Sequence, residues 1–200
     1  MANVLVVFAT REGQTRKVAD RIASTLRSSG HSVELRDVER SARQIDLSPF
    51  QAVVVGSPVR AQGYLRSVVR FAREHRVGLE KIRNAFFSVG LAVMSKNSDG
   101  RAQTLEIVEK FVKETGWRPR RIELVAGALP WSKYGFLVKF VMKRIVRKEG
   151  GDTDTSRDYE YTDWPAVDAF ARDLGAAALA RVVPAVQRSA PPPPRPEARA

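Results

Sequence analysis

Residues 4–15 read Val4-Leu5-Val6-Val7-Phe8-Ala9-Thr10-Arg11-Glu12-Gly13-Gln14-Thr15: an apolar run, a polar turn and the start of an amphipathic stretch. That order is strand, tight turn, helix. A turn there aims several backbone N–H groups and the positive end of a helix dipole at one spot, which suits a phosphate. Gly13 has no Cβ, so a ligand can approach its backbone closely. Thr10 and Thr15 add hydroxyl donors. The loop has neither a Gly-x-Gly-x-x-Gly pattern nor the Lys of a P-loop. An ordinary strand-to-helix turn capped by Thr15 satisfies the same residues, so the rest of the chain decides.

Downstream, Val18, Ile22, Ala23 and Leu26 recur at helical spacing, and Gly30 suits the stop. His31 to Asp37 reads as a second strand with Val33 and Leu35 inward. The polar stretch through Ser48 offers at most a short helix. Ala52-Val53-Val54-Val55-Gly56 is short and continuously apolar, as in a strand buried on both faces of a parallel sheet. A second loop follows, Ser57-Pro58-Val59-Arg60-Ala61-Gln62-Gly63, then a helix placing Leu65, Val68, Val69 and Ala72 together. Ala85 to Gly90 is another buried strand, including Ser88 and Val89, and a third loop runs from Leu91 to Asp99. A helix from about Arg101 to Thr115 puts Leu105, Val108 and Val112 on one face. Ile122 to Leu129 reads as the fifth strand. Strands alternating with helices give right-handed βαβ units and a doubly wound α/β fold with a parallel sheet. Ligands in such sheets bind at the carboxyl ends of the strands, near the switch in strand order. An order of 2-1-3-4-5 sets the first loop at that switch, with the second and third loops on the same rim.

Composition narrows the function. The 200 residues include no cysteine, which excludes thiolate metal sites, iron–sulfur ligation and a cysteine nucleophile. The opening strand has no basic segment before an apolar core, so no signal peptide is expected. The longest uncharged stretch, Asn84 to Ser95, is well short of the ~20 residues that span a bilayer. A soluble or peripheral protein is therefore expected. A net charge of +12 favours anionic partners. Nucleic acid is not expected, because no stacking platform or recognised motif accompanies the charge.

The regular pattern breaks after Leu129. An insertion, residues 130–161, intervenes before Thr162-Asp163-Trp164-Pro165 opens a last helix with Val167, Phe170, Ala171 and Leu174 inward. A gap this long is usually functional. Within it, Tyr134 to Lys148 reads as a helix. At about 100° per residue, Tyr134, Leu137, Val138, Val141 and Ile145 share one face, with Lys139, Lys143 and Arg147 in a row opposite. Phe136 and Phe140 flank that row. A helix packed on the domain with a solvated basic face explains the stripe. An interfacial membrane helix, or the wall of a site for a flat anionic ligand, also gives the two Phe residues a partner. Gly150-Gly151-Asp152-Thr153-Asp154-Thr155 reads as a turn, and without a third ligand no metal site is expected. From Pro184 to Ala200 the chain is a Pro- and Ala-rich tail expected to be disordered, leaving 1–183 as the folded domain.

Together these residues resemble the flavodoxin-like, menaquinone-dependent protoporphyrinogen IX dehydrogenases of bacteria, over about residues 2–175. The resemblance is carried by Phe8 to Thr15, Gly116-Trp117-Arg118-Pro119, Ala126-Gly127-Ala128-Leu129, Gly150 to Thr155 and Tyr161-Thr162-Asp163-Trp164. It implies a flavodoxin-like fold, bound FMN, oxidation of protoporphyrinogen IX in heme synthesis, and reoxidation by a membrane quinone. It further implies a peripheral place on the inner face of the cytoplasmic membrane, against an anionic lipid surface. The FMN phosphate then falls to Thr10, Arg11, Glu12, Gly13, Gln14 and Thr15. The flavin ring falls between Ser57, Pro58, Val59, Arg60 and Gly63 on one side and Ser88, Val89, Gly90 and Leu91 on the other. Lys139, Lys143 and Arg147 are the candidates for the substrate carboxylates, and Phe136 and Phe140 for its macrocycle. Asp152 and Asp154 are the candidate proton acceptors. Glu12 must point outward or pair with Arg11. Ring stacking falls to Tyr64 or to nothing, since Ala61-Gln62-Gly63 carries no aromatic. Electron-carrier flavodoxins, other FMN quinone oxidoreductases and flavin-free membrane- or protein-binding modules on the same fold are the alternatives. The oligomeric state is left open.

Overall fold

A computed structural model describes residues 1–40, 45–94, 98–148 and 151–179, apart from the side chains of Ser98, Ile145 and Lys148. The tail from Pro184, Gly150 and the place of Ile145 in the apolar stripe lie outside the described residues. The strands β1 (Asn3–Phe8), β2 (Ser32–Asp37), β3 (Ala52–Pro58), β4 (Arg83–Gly90) and β5 (Ile122–Ala126) form one five-stranded sheet. Its order is β2-β1-β3-β4-β5, the expected one, and its strands are all parallel, as the alternation of strands and helices predicts.

The unbroken apolar run of β1 is explained by burial on both faces. Val4, Val6 and Phe8 point to one face, where α1 (Gln14–Ser28) covers them with Val18, Ile22 and Leu26. The helix α6 (Trp164–Leu179) adds Val167, Phe170 and Leu174 to the same layer. Leu5 and Val7 point to the other face, against Val68 and Phe71 of α2 (Arg66–Glu74) and Leu79 of α3 (Arg76–Lys81). Val108 and Phe111 of α4 (Ser98–Thr115), with Trp117, complete that layer. Each fully buried aliphatic of this kind contributes roughly 1.5–3 kcal/mol over its exposed state. The helix α1 stops where expected: Gly30 takes φ 85°, and the N–H of His31 reaches back to the Leu26 carbonyl at 3.1 Å.

Two expectations need correction. Leu105 is exposed; the buried stripe of α4 runs instead through Thr104, Val108, Phe111 and Val112. Thr104 can sit there because its hydroxyl donates to the Gly100 carbonyl at 2.8 Å, so no polar group is left unpaired. The fifth strand ends at Ala126 and does not continue to Leu129. Gly127 turns the chain off the sheet, with its N–H on the Gly90 carbonyl and its carbonyl taking the Tyr161 N–H. Ala128–Leu129 becomes β6, paired antiparallel with β7 (Tyr159–Glu160). An apolar run reads the same whether it stays in a sheet or peels away, so its composition did not mark the exit.

That ribbon closes the insertion at its base. Beyond it lie a single 3₁₀ turn, Trp131–Lys133, and α5 (Phe136–Lys148). The arm has a small core of Leu129, Trp131 and Val146, joined by Tyr134, Met142, Tyr159 and Tyr161, and it touches Leu91 of the third loop. Among the described residues no helix is long and apolar enough to cross a membrane.

Candidate functional site

The carboxyl ends of β1, β3, β4 and β5 lie along one rim: Phe8 pairs with Gly56, Ser57 with Ser88, and Gly90 with Ala126. The first loop is a closed turn there. Gly13 caps α1 with φ 101°, a left-handed conformation that glycine adopts without a Cβ clash. Its N–H donates to Thr10 Oγ1 at 3.1 Å, which holds the loop shut. The first backbone bond of the helix runs from Lys17 N to the Gly13 carbonyl. The N–H groups of Gln14, Thr15 and Arg16 therefore have no acceptor within the helix. No side chain caps them, and the first turn holds no acid. The donor set fits a phosphate: three amides at the positive end of a dipole, plus the Thr10 hydroxyl.

Glu12 is accommodated by a route the sequence did not indicate. It pairs with Arg60 of the second loop at 2.9 Å. Arg11, the expected partner, goes to Glu39 at 3.4 Å. The salt bridge gives the carboxylate a partner and fastens the first loop to the second. Gln14 is also committed: its Nε2 donates to Thr162 Oγ1 at 2.8 Å, and that hydroxyl donates to the Ala126 carbonyl at 2.8 Å. What Gln14 offers a phosphate is thus its backbone amide. Thr162, which the sequence marks as a neighbour of a helix cap and within a block that carries the resemblance, ties the loop to the end of β5.

In the second loop, Arg60 and Gly63 exchange backbone hydrogen bonds at 2.8 and 2.9 Å. Ala61 and Gln62 between them both have positive φ, 46° and 58°. That is a tight reverse turn with two non-glycine residues in the left-handed region, a strain of order 1–2 kcal/mol each. Val59 N donates to the Val89 carbonyl at 2.8 Å. A Cβ on Gly90 would meet Val59 Cγ2 at 3.3 Å, so the second and third loops lie side by side. Ser57, Ser88 and Val89 are buried within their strands. Pro58, Gly63, Gly90 and Leu91 are half-buried at the rim. Tyr64 does not stack on a rim ligand. Its ring lies edge-on to Phe86 and Phe111 in the core, its hydroxyl donates to Ser88 Oγ at 2.9 Å, and burial pushes its phenol up to about 12.

The arm reaches the loop through Lys133, a residue of the insertion that the sequence pattern does not single out. Its Nζ donates to the Glu12 carbonyl at 3.0 Å. Lys133 lines two clefts, one of about 190 Å³ with Gln14, Pro130 and Tyr159, the other of about 680 Å³ with Thr10, Arg11 and Arg16. Tyr134 stands next to it, pushed up to about 12 first by burial and then by the charge of Glu12. A larger cleft, about 1130 Å³, lies between residues 45–48 and the helices α2 and α3, where His75 stacks on Phe71 and both its ring nitrogens meet backbone carbonyls.

The proposed substrate residues are not gathered as the helical wheel suggests. Phe136 and Phe140 are exposed, and so are Leu137, Val138 and Val141 of the face read as apolar. The side that docks is Met142 and Val146, and half-buried Lys139 lies with them. Asp158 is lowered first by Ser132, whose N–H and hydroxyl both donate to it, and then by the charges of Lys133 and Lys139. Lys143, Arg144 and Arg147 remain exposed. The true polarity of α5 is along its axis. Exposed apolar side chains occupy 136–141 and exposed cations occupy 143–147, on overlapping sides and about 10 Å apart at a rise of about 1.5 Å per residue. The candidate proton acceptors are exposed and engaged: Asp152 takes the Tyr161 hydroxyl, and Asp154 sits in a turn whose Ser156 N–H lowers its carboxyl. Among the described residues no cluster of metal-ligating side chains occurs.

A family model described as Flavodoxin domain matches residues 5–156, which sets the class: a flavodoxin-domain protein. The fold is also like that of a short-chain flavodoxin associated with a bacterial microcompartment, at a TM-score of 0.55 and 15% identity, covering 89% of this chain and 99% of that one. More specific likeness comes from sequence. The chain is 35% identical to Protoporphyrinogen IX dehydrogenase [quinone] of Escherichia coli (strain K12), over 85% of this chain and 93% of the relative. It is 29% identical to the protein of the same description from Leishmania major, over 88% of this chain and 76% of the relative. This chain belongs to the protoporphyrinogen IX dehydrogenase [quinone] family.

Proposed function

We propose that this chain holds FMN on the loop 10–15, oxidises protoporphyrinogen IX to protoporphyrin IX, and passes the electrons to a quinone, menaquinone in the first instance. The observation that carries the reading is an uncapped, acid-free helix terminus behind Gly13 in a chain 35% identical to a named dehydrogenase over 85% of its length. FMN, when bound, supplies the two-electron acceptor, and three such rounds complete the macrocycle's oxidation. The protein supplies position and charge. The amides of Gln14, Thr15 and Arg16 hold the phosphate, and Arg60 pairs with the Glu12 carboxylate. The backbone edges of 57–63 and 88–91 border the ring.

Lys143 and Arg147 are assigned to the substrate's carboxylates and Phe136 and Phe140 to its apolar face, with Lys139 supporting from the docked side. The exposed tip of α5 and the cations behind it suit an anionic lipid surface, where quinone and porphyrinogen are both accessible. We therefore place the protein peripherally on the inner face of the cytoplasmic membrane. Residues 1–183 carry this function and the tail 184–200 is assigned no part in it. A carrier role is disfavoured by the +12 charge. The test is anaerobic: protoporphyrinogen IX bleaches the yellow protein, and a menaquinone analogue restores the colour. A flavin that stays oxidised after substrate addition refutes the activity.

A further inference from the structure

Lys133 belongs to the arm but meets the first loop, its Nζ on the Glu12 carbonyl. Its backbone is fixed from several directions. Trp131 is fully buried, Ser132 is clamped to Asp158 at 2.8 and 2.7 Å, and Lys133 N donates to the Pro130 carbonyl at 2.9 Å. From that platform the ammonium reaches across 121 positions of sequence to the Glu12 carbonyl. It lies 3.9 Å from where a Cβ of Gly13 would stand.

Lys133 is close enough to Asp158 to help lower that carboxyl, but Asp158 is already held by the N–H and hydroxyl of Ser132. Glu12, the acid nearest in sequence, has its carboxylate on Arg60. The first turn of α1 holds no acid. The ammonium stands beside the positive end of the α1 dipole, a place that favours an added anion. One of its three N–H donors is used on the Glu12 carbonyl and two are left. The group that fits is a phosphate dianion held by the helix amides and by Lys133 together.

We propose that Lys133 is a ligand of the FMN phosphate, contributed by the insertion, so that the cofactor's phosphate latches the arm onto the first loop. This rests on the FMN reading and adds a residue and a coupling to it. Binding and latching are linked, so FMN stabilises the seated arm as much as the seated arm tightens FMN. Riboflavin, which has the ring without the phosphate, should not produce the latch.

The experiment titrates wild type, Lys133→Met and Lys133→Arg with FMN and with riboflavin, following flavin fluorescence. Limited proteolysis of residues 130–161 is followed alongside. We expect Lys133→Met to weaken FMN binding roughly 10- to 100-fold, the scale of one charge-assisted hydrogen bond. Its riboflavin affinity should be unchanged, and Lys133→Arg should retain most of the FMN affinity. FMN should protect the arm of wild type but not of Lys133→Met, and riboflavin should protect neither. Equal FMN affinity in wild type and Lys133→Met overturns the latch and leaves the flavin reading standing. An equal loss of FMN and riboflavin binding also overturns it, since the lysine would then be structural. Failure of wild type to take up FMN at all sinks the cofactor reading and the latch with it.

Discussion

Replacing Phe136 and Phe140 together with serine tests whether the tip of α5 enters lipid. The two side chains are 83% and 69% exposed, so the pair holds about one and a half phenylalanines' worth of unburied surface. Full burial of one is worth roughly 1.5–3 kcal/mol. Complete insertion of the pair then yields roughly 2–4.5 kcal/mol, or about 30- to 2000-fold in a partition coefficient. The fold loses little, because neither ring is buried in it. The three exposed cations behind the tip, Lys143, Arg144 and Arg147, add about 1 kcal/mol each at an anionic surface, and this part is screened by salt. The assay is co-sedimentation with phosphatidylcholine vesicles, with and without phosphatidylglycerol. Wild type binds the anionic vesicles. Phe136→Ser/Phe140→Ser loses most of that binding at any salt concentration while its melting temperature stays put. Lys143→Glu/Arg144→Glu/Arg147→Glu loses only the part that depends on anionic lipid. Undiminished sedimentation of the Phe double variant refutes insertion of the tip.

Tyr64→Phe should destabilise by about 1 kcal/mol, the cost of one buried hydrogen bond, because Ser88 loses the hydroxyl that donates to it. Thermal melting reads the loss; a collapse of FMN affinity in this variant would instead put Tyr64 at the ring and contradict its place in the core. Asp168 accepts from Arg21 and Thr25 and is held at about 2 against an ordinary 3.8, chiefly by the Arg21 hydrogen bond. Its folded-state value is depressed, so its contribution is full above about pH 4 and fades as pH falls towards about 2. Asp168→Asn should remove that part of the acid sensitivity in pH-dependent melting, and a variant as acid-sensitive as wild type would show that the α1–α6 tie does not titrate.

Much of the fold was legible in the chain because the signals that specify it are local. The apolar runs of β1, β3 and β4 need burial on both faces, and alternation with amphipathic helices leaves few ways to provide it. The turn into α1 was legible for the same reason: Thr10, Gly13 and the start of α1 are neighbours in sequence. Leu105 was misplaced because Thr104, a polar residue, fills its slot by bonding to its own helix. The helical wheel of α5 misled for a different reason. A wheel assigns the buried side to the most apolar face. Here the arm docks through Met142 and Val146 with Lys139 beside them, and its apolar end is left exposed.

By itself the sequence determined the strands, their parallel arrangement and the turn from Thr10 into α1, since each follows from hydrophobic period, alternation with helices and turn chemistry within a short window. Only the tertiary structure decided which charges meet at that loop. Arg60 takes Glu12 across 48 positions and Lys133 reaches the same loop across 121. No periodicity spans such distances. The first is set by β3 lying beside β1 in the sheet, the second by where Gly127 turns the chain out of the sheet and by the β6–β7 ribbon that brings the arm back onto the rim.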